Sequence, residues 1–248
     1  AMRSRPAFAK IPLLGVANYP RLEVRSDMDN EHPYPKSGAQ PGPSLAKTMA
    51  GRTRPEVMTE FGYNTGPVSK WPTPVDEYTQ ALLLLNGVFD AVSLGVRRIY
   101  IYELLDEKAD PDFKVPNLHW GIFKFGGSPK VAATAVRNLT RILAPERAAG
   151  EAASVLPQVS GLPATAKHMV LQKGPTTVLV ALWNEPDIWD EVANKPLMVA
   201  PSEVTLSFPA AKQVRLFDPL SSDEPAKTLG PGTSCSVRLG AFPQIVEI

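Results

Sequence analysis

Between Glu56 and Leu143 the chain alternates short apolar strands with amphipathic helices, and this alternation limits the folds open to it. The most sharply defined element is a helix over residues 74–94. Pro74 suits a first turn, Tyr78, Leu82, Leu85 and Phe89 recur at helical spacing, and Gly95 stops it. Strands are expected on either side, at Glu56–Phe61 and 97–104, with two more upstream at 11–16 and 27–34. A brief helix capped by Ser44 is expected over 44–50, and an amphipathic helix over 129–143 closes the series. Four strand–helix units in this order predict a parallel α/β sheet.

The pattern changes after Pro145. Residues 148–166 read as a small-residue linker or edge region. Short strands follow, expected at 169–172, 176–183, 203–208, 213–217, 234–239 and 245–248, separated by turn residues such as Asp218-Pro219 and Gly230-Pro231-Gly232. That spacing predicts a small antiparallel β-sandwich. Two domains are expected, residues 1–148 and residues 149–248.

Composition narrows the partners. The 26 basic and 25 acidic residues nearly cancel, so bulk charge offers no attraction to nucleic acid or an anionic membrane. No apolar run reaches the roughly 20 residues that span a bilayer. The single Cys235 excludes an intrachain disulfide framework and a multi-cysteine metal site, and His32, His119 and His168 show no ligand spacing. No metal and no cofactor is therefore expected. The start Ala1-Met2-Arg3-Ser4 lacks the apolar core of a secretory signal and reads as a cloning remnant, which leaves an upstream segment open.

Val57-Met58-Thr59-Glu60-Phe61-Gly62-Tyr63 carries the chemistry. A short apolar strand delivers one carboxylate to its C-terminal end, and Gly62 lets the backbone turn away at once. Glu60 is thus a candidate nucleophile or general base at the mouth of an α/β barrel, where such enzymes keep their catalytic groups.

Three ordered motifs resemble the C-terminal half of a clan-A glycoside hydrolase barrel, as in bacterial cellulase-like proteins with an appended β-sandwich. Asn30, His32, Pro33, Tyr34, Pro35, Gly38 and Pro41 match the loop after the sixth strand of that family. Thr59, Glu60, Gly62 and Tyr63 match the end of the seventh strand, and Tyr102, Glu103, Leu104 and Asp106 the eighth. Gly121 to Lys130 resembles the loop and helix that follow. The resemblance implies half of a TIM-type barrel, equivalent to strands five to eight, and Glu60 as catalytic nucleophile of a retaining mechanism. His32 and Tyr34 would lie beside it, with His32 bonding a sugar hydroxyl, orienting the carboxylate or bracing its own turn. Glu103 would line the same mouth, binding sugar hydroxyls or pairing with Arg97 or Arg98. Trp71 and Trp120 fall in loops where an aromatic face stacks on a pyranose ring or packs a lid.

A retaining glycosidase also needs a proton-donating carboxyl about 5 Å from its nucleophile. In clan A that residue follows the fourth strand, which has no counterpart here. A complete barrel takes about 250 residues, and the α/β pattern ends at Pro145. Glu31 would point away from the mouth if His32 points in. Glu185, in Trp183-Asn184-Glu185-Pro186, imitates the acid motif but sits within the expected sandwich, where a structural role is expected. The acid would come from a second chain, making a homodimer or a complementary half-barrel the expected partner, with carbohydrate as ligand. A non-catalytic carbohydrate-binding or assembly protein, or a truncated form of a full-length glycosidase, are the alternatives. Residues alone leave localisation open; the resemblance implies an extracellular or periplasmic setting.

Overall fold

A computed structural model describes residues 10–17, 26–146 and 156–248. The boundary expected at 148/149, most of the first half of the expected linker, and the N-terminal tetrapeptide lie outside these residues. The first part is mixed α/β. Strands β1 (Asp29–Glu31), β2 (Glu56–Phe61) and β3 (Val96–Ile101) form a parallel sheet in that order. Helices α1 (Pro41–Met49), α2 (Glu77–Ser93) and α3 (Val131–Ile142) follow the successive strands. The strand expected at 11–16 contributes a single parallel bridge, Leu14 to Met28. Three full strands and one bridge thus stand where four strands were expected, an arrangement compatible with a partial barrel.

Local chemistry explains these elements. Asp76 caps α2 by accepting the Thr79 N–H at 2.6 Å, two residues after the expected start at Pro74. Gly95, at φ +82°, takes the left-handed turn that ends the helix. Ser44 does not cap α1. Pro41 occupies the first helical turn, and the cap residue Gln40 makes no side-chain cap bond. β1 stops at Glu31 because Pro33 and Pro35 have no N–H to give a ladder.

The second part is one hydrogen-bonded antiparallel sheet. Its strands β5 (Ala166–Gln172), β6 (Val178–Asn184), β9 (Ser202–Phe217), β10 (Lys227–Leu239) and β11 (Gln244–Glu247) lie in the order β10-β9-β11-β6-β5, with β4 (Gln158–Ser160) on β9. β7 (Trp189–Asp190) and β8 (Lys195–Pro196) make a separate two-residue ribbon. Segments 203–208 and 213–217 are therefore one long strand, and the described strands do not divide into the two separate hydrogen-bonded sheets of a sandwich.

β6 joins the two parts, and its sequence says why. Val178 to Asn184 is buried throughout. Val180 and Leu182 enter a cluster with Val204, Leu206, Val237 and Val246 inside the curled sheet. Leu179, Ala181 and Trp183, on the opposite face, enter the core built on α2 and α3. Period-two alternation thus feeds two cores from one apolar run. Trp183 stacks on Phe89 with ring centroids 5.4 Å apart, and its indole N–H donates to Asp90 at 2.9 Å. Truncating a buried aromatic of this kind costs about 3–5 kcal/mol. Among the described residues no helix is long and apolar enough to cross a membrane.

Candidate active site

β2 delivers Glu60 to the C-terminal end of the parallel sheet, and the loop after β1 brings two side chains to meet it. The Tyr34 hydroxyl donates to Glu60 Oε2 at 2.5 Å. His32 Nδ1 lies 3.2 Å from the same oxygen. On its far side the His32 ring meets the Thr59 hydroxyl at 2.7 Å, and that hydroxyl donates to Asn30 Oδ1 at 2.8 Å. The Thr59 N–H donates to Asn30 Oδ1 as well, which fixes the amide with its oxygen toward β2. Because the Thr59 hydroxyl donates to Asn30, His32 Nε2 is the donor to Thr59; Tyr34 thus holds one carboxylate oxygen, joined by His32 Nδ1 when the ring carries both protons. The other, Oε1, makes no hydrogen bond among the described residues, while a third of the side chain remains open to solvent.

An aromatic wall stands behind this carboxylate. The Tyr34 ring meets Tyr102 edge-on at 5.9 Å and Trp120 at 4.9 Å. Trp120 is buried and anchors its indole N–H on Asn117 at 3.0 Å. Trp71 leans on Trp120 at 6.2 Å but is 53% exposed, with the Lys36 ammonium over its face. Trp120 is accordingly wall and Trp71 rim. Burial, and then the bond to Glu60, hold the Tyr34 phenol far above its usual range, so it stays a donor.

The Tyr34 loop is braced from three sides. The Ser37 N–H donates to Thr73 at 2.7 Å, the Tyr63 hydroxyl to the Ala39 carbonyl at 2.9 Å, and the Gln40 amide to the Pro186 carbonyl at 2.7 Å. The Trp189 ring packs against Gly38. Segment 186–189 of the β-rich part therefore supports the loop that carries Tyr34.

Glu103 lies two residues past the end of β3, the strand beside β2. Its N–H donates to the Trp120 carbonyl at 3.1 Å, and its carbonyl accepts from Ile122 at 2.9 Å. Among the described residues it forms no ion pair; Arg97 and Arg98 are exposed and leave it alone. Its Oε1 is buried without a hydrogen-bond partner. Burial, then the nearby Glu107 and Asp106 and finally Glu60, push the carboxyl up to about 7, with Lys130 opposing. Lys130 itself is committed elsewhere, to Asp106 at 2.7 Å and Thr65 at 2.9 Å.

The other two carboxylates considered from sequence lie in ion pairs. Glu31 pairs with Arg52. Glu185 pairs with Lys167 at 2.5 Å and accepts the Gly42 N–H at 2.9 Å. Among the described residues no group of three or more His, Cys, Asp or Glu is placed to hold a metal ion. Sequence reasoning gave no role to Tyr102 or to the Asn30–Thr59 relay. The available signal was position: Thr59 precedes Glu60, and Tyr102 follows the end of the neighbouring strand.

No protein-family model matches the chain, and no curated protein matches it. Among solved structures it is similar to a glycoside hydrolase family 17 β-1,3-glucanosyltransferase from Rhizomucor miehei, at 14% identity and a TM-score of 0.41, over 52% of each chain. It is also similar to a β-glucuronidase from an uncultured Clostridium sp., at 22% identity and a TM-score of 0.37, over 47% of this chain and 23% of that one. The β-glucuronidase of Ruminococcus gnavus matches at 21% identity and a TM-score of 0.35, over 46% and 22%. The chain thus spans about half the length of the first and under a quarter of the other two. Likeness at this level concerns part of the fold only.

Proposed function

We propose that the chain acts on oligo- or polysaccharide as a glycoside hydrolase of retaining mechanism, with Glu60 as nucleophile. One observation carries this reading: Glu60 has one oxygen pinned by Tyr34 and His32 and the other free, in front of an aromatic wall. Pinning Oε2 orients the carboxylate, disperses its charge through the Tyr34 hydroxyl, and leaves Oε1 to attack an anomeric carbon. Trp120 and Tyr102 line the floor, and Trp71, half-exposed at the rim with Lys36 over one side of its ring, leaves the rest of its indole to a neighbouring sugar ring. Sugars stack on such faces through their apolar C–H surfaces while their hydroxyls stay hydrated.

The reading includes a second chain. β3 is an edge of its sheet, with Arg97, Arg98 and Tyr100 exposed along it. Open parallel edges are costly in water, and a second copy or a complementary half-barrel would cover this one. Light scattering over a concentration series tests that part: a monomer at every concentration removes it.

Glycosyl transfer itself is tested by trapping. A 2-deoxy-2-fluoro glycoside with a good leaving group should add one glycosyl mass to the chain, located on Glu60 by peptide mapping, and Glu60→Gln should abolish the adduct. Sugar binding with neither adduct nor turnover would convert the reading to a non-catalytic carbohydrate-binding protein.

A further inference from the structure

A retaining cycle needs a proton donor, and among the described residues the carboxyl nearest in the sheet to Glu60 is Glu103, past the end of the neighbouring strand. We infer that Glu103 is that donor, so that both carboxyls of the site come from one chain. The inference rests on the hydrolase reading of Glu60 and goes beyond it, because it removes the need for an acid from a partner.

Position is the first ground. Glu60 ends β2, and Glu103 follows the end of β3, its parallel neighbour, with Phe61 paired to Ile101. The Tyr102 N–H bonds the Phe61 carbonyl at 2.8 Å, which ties the two strand ends together directly beneath the site. Tyr34, which donates to Glu60, also feels the charge of Glu103, as the smallest of the influences that raise its phenol. The wall is shared too: Trp120 packs its ring on Tyr34 and Tyr102 and bonds the Glu103 N–H through its carbonyl.

Bonding state is the second ground. A carboxylate at a strand end normally finds a cation or a backbone N–H, but Glu103 Oε1 is buried with neither. The near cation, Lys130, is spent on Asp106, and the other charged groups around Glu103 are the acids Glu107, Asp106 and Glu60. A carboxyl so placed keeps its proton near neutrality, and its raised titration to about 7 agrees.

The chemistry balances. Glu60 Oε1 attacks the anomeric carbon while the bond to the leaving oxygen breaks, and Glu103 gives its proton to that oxygen, releasing an alcohol. Glu103, now a carboxylate, then takes a proton from water as the water oxygen attacks the same carbon. The bond to Glu60 breaks, a free sugar leaves, and both carboxyls return to their starting states.

The test compares wild type with Glu103→Gln, which preserves the shape of the protonated acid. Phenyl and 2,4-dinitrophenyl glycosides of several common sugars serve as donors. The expected result is a fall in kcat/KM of about 100-fold or more on the phenyl glycoside, little change on the dinitrophenyl glycoside, whose leaving group needs no proton, and rescue of turnover by azide with formation of a glycosyl azide. The fall in wild-type kcat/KM on the alkaline side of about pH 7 should also disappear from the variant. Wild-type turnover with an unchanged rate and pH profile in Glu103→Gln overturns the inference and leaves Glu60 as nucleophile standing. A wild type inert on every donor overturns both. Carbon-13 NMR of labelled glutamate gives a readout independent of turnover: a resonance titrating near 7 and missing from Glu103→Gln supports the inference, and its absence overturns it.

Discussion

The carboxylate of Glu185 accepts the backbone N–H of Gly42 at 2.9 Å, so the β-rich part of the chain supplies the N-terminal anchor of a helix in the α/β part. Its other oxygen bonds Lys167 at 2.5 Å, and Lys167 reaches on to Asp90 of α2 at 2.7 Å. A negative charge at a helix start and a cation between two acids tie three elements at one point. Glu185→Ala should therefore lower the unfolding free energy by about 1–3 kcal/mol, the cost of stranding a buried N–H and weakening a partly exposed pair. Urea denaturation measures it. Because Glu185 is fully engaged in this anchor, turnover per folded molecule should not change. Loss of turnover at wild-type stability would restore Glu185 to the role that its Asn-Glu-Pro setting imitates.

Tyr34 offers a sharper test of how Glu60 is held. Tyr34→Phe keeps the ring that packs on Trp120 and Tyr102 and deletes only the hydroxyl donated to Glu60. A hydrogen bond to a charged group contributes about 1.5–3 kcal/mol. If it strengthens as negative charge is handed between Glu60 and the sugar, kcat should fall about 10- to 100-fold. Stability should move little, since the ring stays packed. Unchanged kcat would mean that His32 alone orients the carboxylate.

How much of this was legible in the sequence varies by element. β2, α2 and α3 announce themselves through local periodicity, and the Glu60–His32–Tyr34 set through an ordered motif on two neighbouring strands. The start of α1 was misread because its anchor, Glu185, is 143 residues away, and no local pattern encodes a cap of that range. The break expected between 208 and 213 is absent because β9 keeps pairing with β10 through two register shifts. Glu103 was expected to bind sugar hydroxyls or to pair with Arg97 or Arg98 of its own strand. Arg97 and Arg98 instead remain exposed on β3, and Glu103 Oε1 is buried without a hydrogen-bond partner.

Gly62 shows a residue whose reason only the fold reveals. Sequence suggests a turn; the structure shows close approach. A Cβ on Gly62 would sit 2.0 Å from the Tyr102 carbonyl oxygen, a backbone atom that cannot rotate aside. Gly62→Ala must push β2 and β3 apart at the strand ends that carry Glu60 and Glu103. Overpacking of this kind costs about 1–3 kcal/mol and sometimes more. Both a lowered unfolding midpoint and a loss of turnover beyond that of Tyr34→Phe are expected. An alanine variant with wild-type stability would show that the two strand ends part freely.

Glu56 lies at the opposite end of β2 from Glu60. It is 1% exposed, neither carboxylate oxygen has a hydrogen-bond partner, and Arg52 stands off at 3.9 Å. Burial pushes its titration up to about 7, against the opposing pull of Arg52 and with help from Asp29. A carboxyl raised on folding binds its proton more tightly in the native state, so the native state holds more protons than the unfolded chain between about 4.5 and 7. The associated stability is complete below that window and declines as pH rises through it. Glu56→Gln fixes the uncharged form. The variant should match wild type near pH 4.5 and exceed it at pH 8 by on the order of 3 kcal/mol, from 1.36 kcal/mol per pH unit over the window. Part of the pH slope should survive in the variant, because burial raises Asp90 in the same direction. Urea denaturation of both proteins at the two pH values decides it: equal stability at pH 8 would mean that Arg52 fully compensates the buried charge.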